Sequence, residues 1–467
     1  MNWFGRYFRN WTKNTWKTKK DINIVSPIFM TLMIPILIFL IIENQNITFR
    51  ISFTLLLLGL LVTLLILSLK TFLISISILT IFLLVFWFVK SKPIEHQQEL
   101  VELRGTILKV EEKFLVLSTK KFGNVLIWKS KINVVLQKSD FVVLEANIKN
   151  IDANDFGNFY LVNKINGVLD KIKVIEFKLC KYNLDSAINN FANRQEHFFQ
   201  KYFMLFLFSK SNDFNDTKET AKSLNILHLI AISGMHFNCL KWAFDHIFFW
   251  IKNKKQQAAI TNGFLFFYLL LLNNFISGLR AFIMIVFKSF DKKEKMKILD
   301  SWVISLFVVF VLNPYYVFSF STILSFTFSL ITLFLGRICK NNIENKVYRF
   351  LTFSFLTCLF SLPFSIYLNQ KMNLFSLFWI MIYTPIFQGV FLISFFFFFN
   401  TPMLNFIYFA LDKMLIFSNH ISLFINNIYV KKEVVFLYYL ALILMLTMSS
   451  EILLKNTKKI SIRIKNI

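Results

Sequence analysis

The sequence predicts a mainly α, polytopic transmembrane helical bundle with a small extracytoplasmic β-barrel inserted near its start. Three observations carry this. Hydrophobic residues make up 56% of the 467 positions and charged residues only 17%, against about a quarter charged in soluble domains, and the mean hydropathy is +0.57. Apolar runs of bilayer-crossing length, about 20 residues, begin at 24–42, 51–68 and 71–89 and resume after 226. That makes about eleven or twelve segments. Between the two groups of runs the pattern changes to polar and apolar alternation with a period of two, the mark of half-buried strands.

The first apolar run follows a basic and aromatic leader, contains Pro27 and Pro35 and lacks a small-residue cleavage pattern. It therefore reads as a retained anchor. Basic residues gather in short polar stretches beside the runs: Arg6 to Lys20, Lys252 to Lys255, Lys292 to Lys297, Arg337 to Arg349 and Lys455 to Lys465. Placing each cluster in the cytoplasm, as the positive-inside rule prefers, puts both termini there and makes the net charge of +26 mainly an orientation signal. Three spans then bring the chain outside at Lys90, ahead of Ser91-Lys92-Pro93. The expected organisation is amino-terminal transmembrane helices over 1–90, an extracytoplasmic β domain over 91–180, an amphipathic interfacial segment over 181–225 and a transmembrane core over 226–467.

Within the β domain, strands are expected over 101–110, 113–118, 125–128, 133–136 and 141–148. Five short strands suit a small closed barrel, of which the oligonucleotide-binding (OB-like) fold is one type. That fold stacks bases on aromatic rings over a basic groove, and Phe122, Trp128 and Tyr160 are candidate platforms. Basic residues exceed acidic ones here by only about two, a weak footprint for phosphate binding. After it, 184–209 mixes Phe191, Phe198, Phe199, Phe203 and Phe206 with Asn189, Arg194 and Gln200, a pattern suited to a helix lying in the interface. The sixty phenylalanines look like the product of AT-rich codons, so aromatic frequency alone carries little weight.

Polar groups recur inside the apolar core, where they are costly and mark function: His228, Ser233, Gly234 and His236; Ser277, Gly278 and Arg280; Asp300; Asn313-Pro314; Ser325; and Pro363 and Pro385 inside later runs. Arg280 stays charged at any relevant pH, so it should face water, a phosphate or an acid such as Asp300 or Asp245. On one continuous helix, His228 and His236 would point about 80° apart, close enough for both to face one cavity. The alternative is that they tie helices together. The six histidines, at 96, 197, 228, 236, 246 and 420, form no H-E-x-x-H or clustered metal motif, and no G-x-S-x-G or G-x-x-x-x-G-K-[ST] pattern occurs. No cofactor, metal or nucleotide motor is therefore expected.

His228-Leu229-Ile230-Ala231-Ile232-Ser233-Gly234-Met235-His236 resembles the H-L-L-A-I-S-G-L-H signature of the ComEC family of competence proteins, the inner-membrane channels for transforming DNA. Tyr268, Leu271, Ser277, Arg280, Ala281 and Met284 resemble the family's Y-x-x-L-x-G-x-x-x-S-x-x-R-A-x-x-M pattern. Asp300, Asn313-Pro314 and Leu324-Ser325-Phe326 resemble its D…NP…LSF stretch, and Asn158-Phe159-Tyr160 with Asn166-Gly167 is similar to the end of its OB-like domain. Asn273 departs from the family's glycine. Many members carry a carboxy-terminal metallo-β-lactamase-like domain that degrades the non-transported strand; this chain reads to Lys458-Lys459-Ile460-Ser461-Ile462-Arg463 without one, like the shorter, channel-only members.

The resemblance implies a bacterial inner-membrane channel, not an enzyme, passing single-stranded DNA into the cytoplasm during natural transformation. His228, Ser233, Gly234, His236, Ser277, Arg280, Asp300, Asn313, Pro314 and Ser325 would line or shape the path. The partners it implies are single-stranded DNA, the lipid bilayer, a periplasmic DNA receptor, a cytoplasmic ATPase, helicase or single-strand-binding protein, and a second copy in a homodimer. A small-solute transporter and an intramembrane hydrolase built on Ser233 remain the alternatives.

Overall fold

The computed structural model describes residues 27–43, 47–67, 77, 97–111, 113–132, 134, 136–149, 158–178, 180, 184–210, 215–230, 233–272, 275–290, 298–426, 428–431, 434–435, 438–439 and 441–442. The terminal basic clusters, all but one position of the third apolar run, Lys90 to Pro93, the Lys292 to Lys297 cluster and Asn273 lie outside them.

The first described helices are α1 (Pro27–Glu43) and α2 (Ile47–Leu67), and the barrel follows. Its strands are β1 (Gln97–Val110), β2 (Phe114–Thr119), β3 (Gly123–Trp128), β4 (Phe141–Lys149) and β5 (Ile165–Lys178), with α3 (Asn158–Val162) between the last two. They close in the order β1-β2-β3-β5-β4. Long β1 makes this possible because it pairs with β4 along most of its length and with β2 from Gly105 onward. At that corner a side chain is impossible: a Cβ on Gly105 would sit 2.1 Å from the Ser118 carbonyl oxygen. Alternate residues Leu115, Leu117, Val125, Ile127, Leu144, Ala146 and Ile148 point inward and fill the barrel, as period-two patterning requires. The expected strand over 133–136 is not formed at its described residues, Val134 and Leu136. The fifth strand is β5, which closes the barrel by parallel pairing with β3.

The helical core comprises α4 (Leu184–Asn193), α5 (His197–Phe208), α6 (Asn215–Ser223), α7 (Leu227–Ile230), α8 (Gly234–Ile247), α9 (Lys254–Leu271), α10 (Phe275–Phe290), α11 (Ile298–Leu312), α12 (Phe320–Asn342), α13 (Lys346–Asn369), α14 (Ser376–Phe396) and α15 (Thr401–Ile421). Short strands β6 (Lys371–Asn373) and β7 (Phe424–Asn426) pair beside the last helices. Among the described residues three helical stretches are long and apolar enough to cross a membrane, Ser321–Asn342, Lys346–Tyr367 and Ser376–Phe396. Pro363 and Pro385 lie inside α13 and α14, which run on through them.

The stretch 184–209, expected as a helix lying in the interface, forms two helices, and the second is core. In α5, residues Phe199, Tyr202, Phe203, Met204, Phe206, Leu207 and Phe208 are buried against α14 and α15. This gives one apolar cluster built on α5, α8, α9, α14 and α15 and a second built on α1, α11, α12 and α13. Helix α10 belongs to both: Ala281 and Ile285 are buried in the first, Ile276 and Met284 pack on the second, and Leu279 touches each.

The barrel meets this core where two helix ends face each other. The last carbonyls of a helix lack intrahelical partners. At the end of α3 the Leu161 and Val162 carbonyls accept from Asn313 Nδ2 at 3.3 and 3.0 Å. At the end of α11 the Leu312 carbonyl accepts from Lys164 Nζ at 3.1 Å, a cation favourably placed at a helix carboxy terminus.

On the barrel surface Asp170 accepts from Lys131 and Lys149, both at 2.5 Å, and from the Lys171 N–H at 3.0 Å. The Lys131 and Lys149 ammonium groups hold its carboxyl well below the usual carboxylate range. A depressed folded-state pKa stabilises the fold above the unfolded value, about 4, and the gain disappears as the pH drops further into the acid range. Asp170→Asn should therefore lower the melting temperature of the detergent-solubilised protein by a few degrees at pH 7, and the gap from wild type should close in acid. Thermal unfolding followed by tryptophan fluorescence at both pH values measures this.

Candidate functional site

The segment richest in polar residues starts α8. Ser233 is extended, with φ −128° and ψ 177°, and caps the helix. Its Oγ accepts from the Met235 N–H at 3.3 Å, and His236 Nδ1 accepts from the Ser233 N–H at 3.1 Å. This is a capping box with histidine in place of the usual Glu or Gln. It also corrects the expectation of one continuous helix, because α7 ends at Ile230 and His228 and His236 sit on separate elements.

With Nδ1 accepting, the ring proton lies on Nε2. That atom is buried with no hydrogen-bond partner, and the ring stands 77° to Phe391 at 4.5 Å. His236 is fully buried, so it braces the helix start and does not line a wet surface. The Ser233 and His236 side chains approach only to 3.4 Å, and Nε2 carries no carboxylate, so the third member of a Ser-His-acid constellation is missing. His228, by contrast, is exposed.

Arg280 draws three distant sequence blocks together. Its Nε donates to Ser325 Oγ of α12 at 2.9 Å, its guanidinium carbon lies 5.9 Å from the Phe326 ring centre, and Nη1 reaches Met284 Sδ at 3.8 Å. Its Nη2 sits 3.3 Å from the position a Cβ on Gly234 would take, so the absence of a side chain there admits the guanidinium to the first turn of α8. Gly278 serves the same contact between α8 and α10: a Cβ would come within 2.9 Å of both Phe237 Cε2 and Leu272 Cδ1.

Arg280 is only 8% exposed, yet among the described residues no carboxylate lies at ion-pairing distance. Asp245, expected as a partner, instead binds Lys241 and accepts from Thr261 at 3.1 Å. Asp300 is buried in the first turn of α11 and makes no ion pair with Arg280. Two positive features therefore meet without an acid: the guanidinium, and the amino-terminal end of α8 with its partial positive charge. The arrangement is receptive to an anion.

The remaining candidates fall elsewhere. Ser277 is half-buried on α10, one turn before Arg280. Asn313 and Pro314 are at the barrel junction, where Asn313 also caps the turn beginning at Pro314 by accepting from the Tyr315 N–H at 3.1 Å. Two of the three proposed stacking platforms are packing residues: Phe122 and Tyr160, each 7% exposed, are buried. Trp128 is half-buried and meets Phe114 edge-on at 6.2 Å.

Composition did not reveal Asp412, which in the buried contact between α5 and α15 takes Lys201 Nζ at 2.6 Å and the Tyr202 hydroxyl at 2.7 Å. The signal available was Asp412 itself, an acid within the apolar run that became α15.

The fold and site define a helical, membrane-type core that bears a closed barrel and holds an unneutralised arginine at a helix start. The chain belongs to the competence protein family, whose model matches residues 206–452, so the match runs from α5 through the residues around Arg280 and beyond β7. It is similar to "Uncharacterized protein MG316" of Mycoplasma genitalium, with 28% identity over 196 residues, 42% of this chain and 50% of the relative. The homolog of that protein in Mycoplasma pneumoniae is 28% identical over 191 residues, 40% of this chain and 48% of the relative. The chain thus spans about half the length of the curated relatives it matches. No solved structure matches it.

Substitutions at two positions test the geometry. Ser233→Ala should cost about 1 kcal/mol of stability, the value of a lost cap, whereas Ser233→Thr keeps the cap. Equal function in the wild-type and Thr proteins with lower thermal stability in the Ala protein confirms capping, while total loss in both variants would restore a nucleophile. Asn313→Ala should loosen the barrel from the core, raising hydrogen exchange around Leu161 and Val162 while exchange within β1 and β4 stays as in wild type.

Proposed function

We propose that this chain is a channel of the bacterial cytoplasmic membrane that passes single-stranded DNA inward during natural transformation. Membership in the competence protein family supports the reading, and the observation that carries it is Arg280, a buried guanidinium beside the positive end of α8 that has no carboxylate partner among the described residues. A buried charge without a counter-ion costs several kcal/mol. A protein keeps such a group when an anion visits it, and each nucleotide of a passing strand carries one phosphate.

In this reading both termini are cytoplasmic and the barrel faces outward, receiving the strand from a periplasmic DNA receptor. The chain acts as a conduit and not as an enzyme. Movement is supplied by a cytoplasmic ATPase, helicase or single-strand-binding protein. Two copies enclose the route if one is too narrow. The exposed His228 and the half-buried Ser233 and Ser277 are the polar groups nearest the path; Gly234, Ser325 and Asp300 shape it from behind.

Charge removal separates function from folding. Arg280→Met keeps an unbranched apolar stem and removes the unpaired cation, so thermal stability should stay equal or rise while transformation falls on the order of a hundredfold, a barrier change of about 3 kcal/mol. Arg280→Lys should recover part of the activity, since the charge returns without the planar fork. Transformation frequency in a knockout complemented with each variant, at equal membrane abundance, gives the answer. Wild-type frequency in the Met variant, or its failure to fold, would make Arg280 a structural residue.

A further inference from the structure

The hairpin of α12 and α13 carries a feature the DNA reading does not use. Near its turn the two helices part to leave a cleft of about 370 Å³ lined by Gly336 and Cys339 of α12 and Lys346, Arg349, Phe350 and Phe353 of α13. Gly336 keeps it open: a Cβ there would meet nothing nearer than Phe353 Cε2 at 3.9 Å.

The cleft is graded along its length. At the turn end stand Lys346 and Arg349, and no carboxylate lines the space. Arg349 donates Nη2 to the Glu344 carbonyl at 3.0 Å, but its Nε is buried with no hydrogen-bond partner. One turn further along the helix the walls become aromatic, with Phe350 and Phe353. The outer surface of α13 continues apolar through Leu351, Phe355 and Leu359, all exposed or nearly so. Both helices are long and apolar enough to cross a membrane, and α13 is the least enclosed of the candidate spans. Arg337, Lys340, Lys346 and Arg349 against the single acid Glu344 mark this end as cytoplasmic.

We infer that the cleft binds one anionic phospholipid of the inner leaflet, with its phosphate on Lys346 and Arg349 and the upper part of one acyl chain on Phe350, Phe353 and the floor left by Gly336. Charge and shape select this occupant together. A zwitterionic headgroup would bring its own cation against two others with no acid to receive it. A soluble phosphate would satisfy the cations and supply nothing to the aromatic half of the cleft. Paired basic residues between spans on the cytoplasmic side are the recurring chemistry of such sites.

The test uses the full-length protein in mild detergent and reads lipid retention by native mass spectrometry, a readout independent of DNA uptake. Wild type should retain phosphatidylglycerol over phosphatidylcholine by about tenfold, roughly the effect of one or two cations at the headgroup. The double variant Lys346→Gln/Arg349→Gln should lose that preference. Gly336→Leu, which fills the floor with both cations intact, should lose retention of the lipid itself. Equal retention of the two lipids by wild type overturns the proposal, as does unchanged phosphatidylglycerol retention in the double variant. Displacement of the lipid by inorganic phosphate would assign the cleft to a soluble anion. Loss of a dimer in the double variant at unchanged lipid retention would assign it to a second copy of the chain. Either result also overturns the proposal.

Discussion

A guanidinium that cannot lose its proton, held among apolar helices with no carboxylate beside it among the described residues, is the constraint around which the core is arranged. Arg280 is tolerable there because three elements each answer part of its fork: the Ser325 hydroxyl takes Nε, the Phe326 ring offers its negative face, and the bare backbone at Gly234 leaves room for Nη2. Each answer is weaker than an ion pair. Their placement fixes how α8, α10 and α12 sit together: a side chain at 234 would crowd Nη2, and one at 278 would collide with Phe237 and Leu272. The energetic debt of the unpaired charge and the close packing around it are two sides of one design, and the proposed visit of a phosphate is what would settle the first without disturbing the second.

The same economy appears at the barrel. A small closed barrel has few surfaces with which to grip a membrane core, and here the grip comes from polar groups that helix ends leave over. Asn313 uses its amide nitrogen on the Leu161 and Val162 carbonyls and its oxygen on the Tyr315 N–H, so one buried carboxamide starts a turn in the core and ends a helix in the barrel. Lys164 returns the contact to Leu312. The barrel is thereby oriented by α11, whose start buries Asp300 and whose body packs against α10, the helix of Arg280.

Much of this was legible in the chain because polar residues at membrane depth announce themselves. His228, Ser233, His236, Arg280, Asn313 and Ser325 were all flagged by their chemistry, and Gly234, Arg280 and Ser325 do converge. What the pattern could not disclose was role. Ser233 and His236 stand three apart, the spacing of a capping box, but the apolar run around them reads as one helix, and only the extended backbone at Ser233 exposes the cap. Phe122 and Tyr160 have the chemistry of stacking platforms, but burial is decided by which strands neighbour them, and no local pattern encodes that. Strand β5 escaped notice because Asn166-Gly167 opens it and Asp170 and Lys171 interrupt it, with Lys171 at φ +48°; its pairing with β3 spans some forty residues of sequence. Asn313 looked like a helix break, which it is, but its partners lie about 150 positions away.

Helix α10 gives the arrangement its logic. Two apolar clusters, each with its own aromatic core, meet along it, and it contributes side chains to both. A seam between two well-packed bodies is where a membrane protein can admit water or a polar guest at the least cost, because neither body has to be broken. The residues at this seam are accordingly the ones that a uniform hydrophobic interior would exclude. Arg280 reaches across it from α10 to Ser325 of the second cluster and to the start of α8 in the first. On the proposed role, an anion arriving there would touch both bodies at once, through the guanidinium and beside the positive end of α8. Passage and cohesion would then depend on the same contacts, which explains why the unpaired charge lies at the junction and not within either cluster.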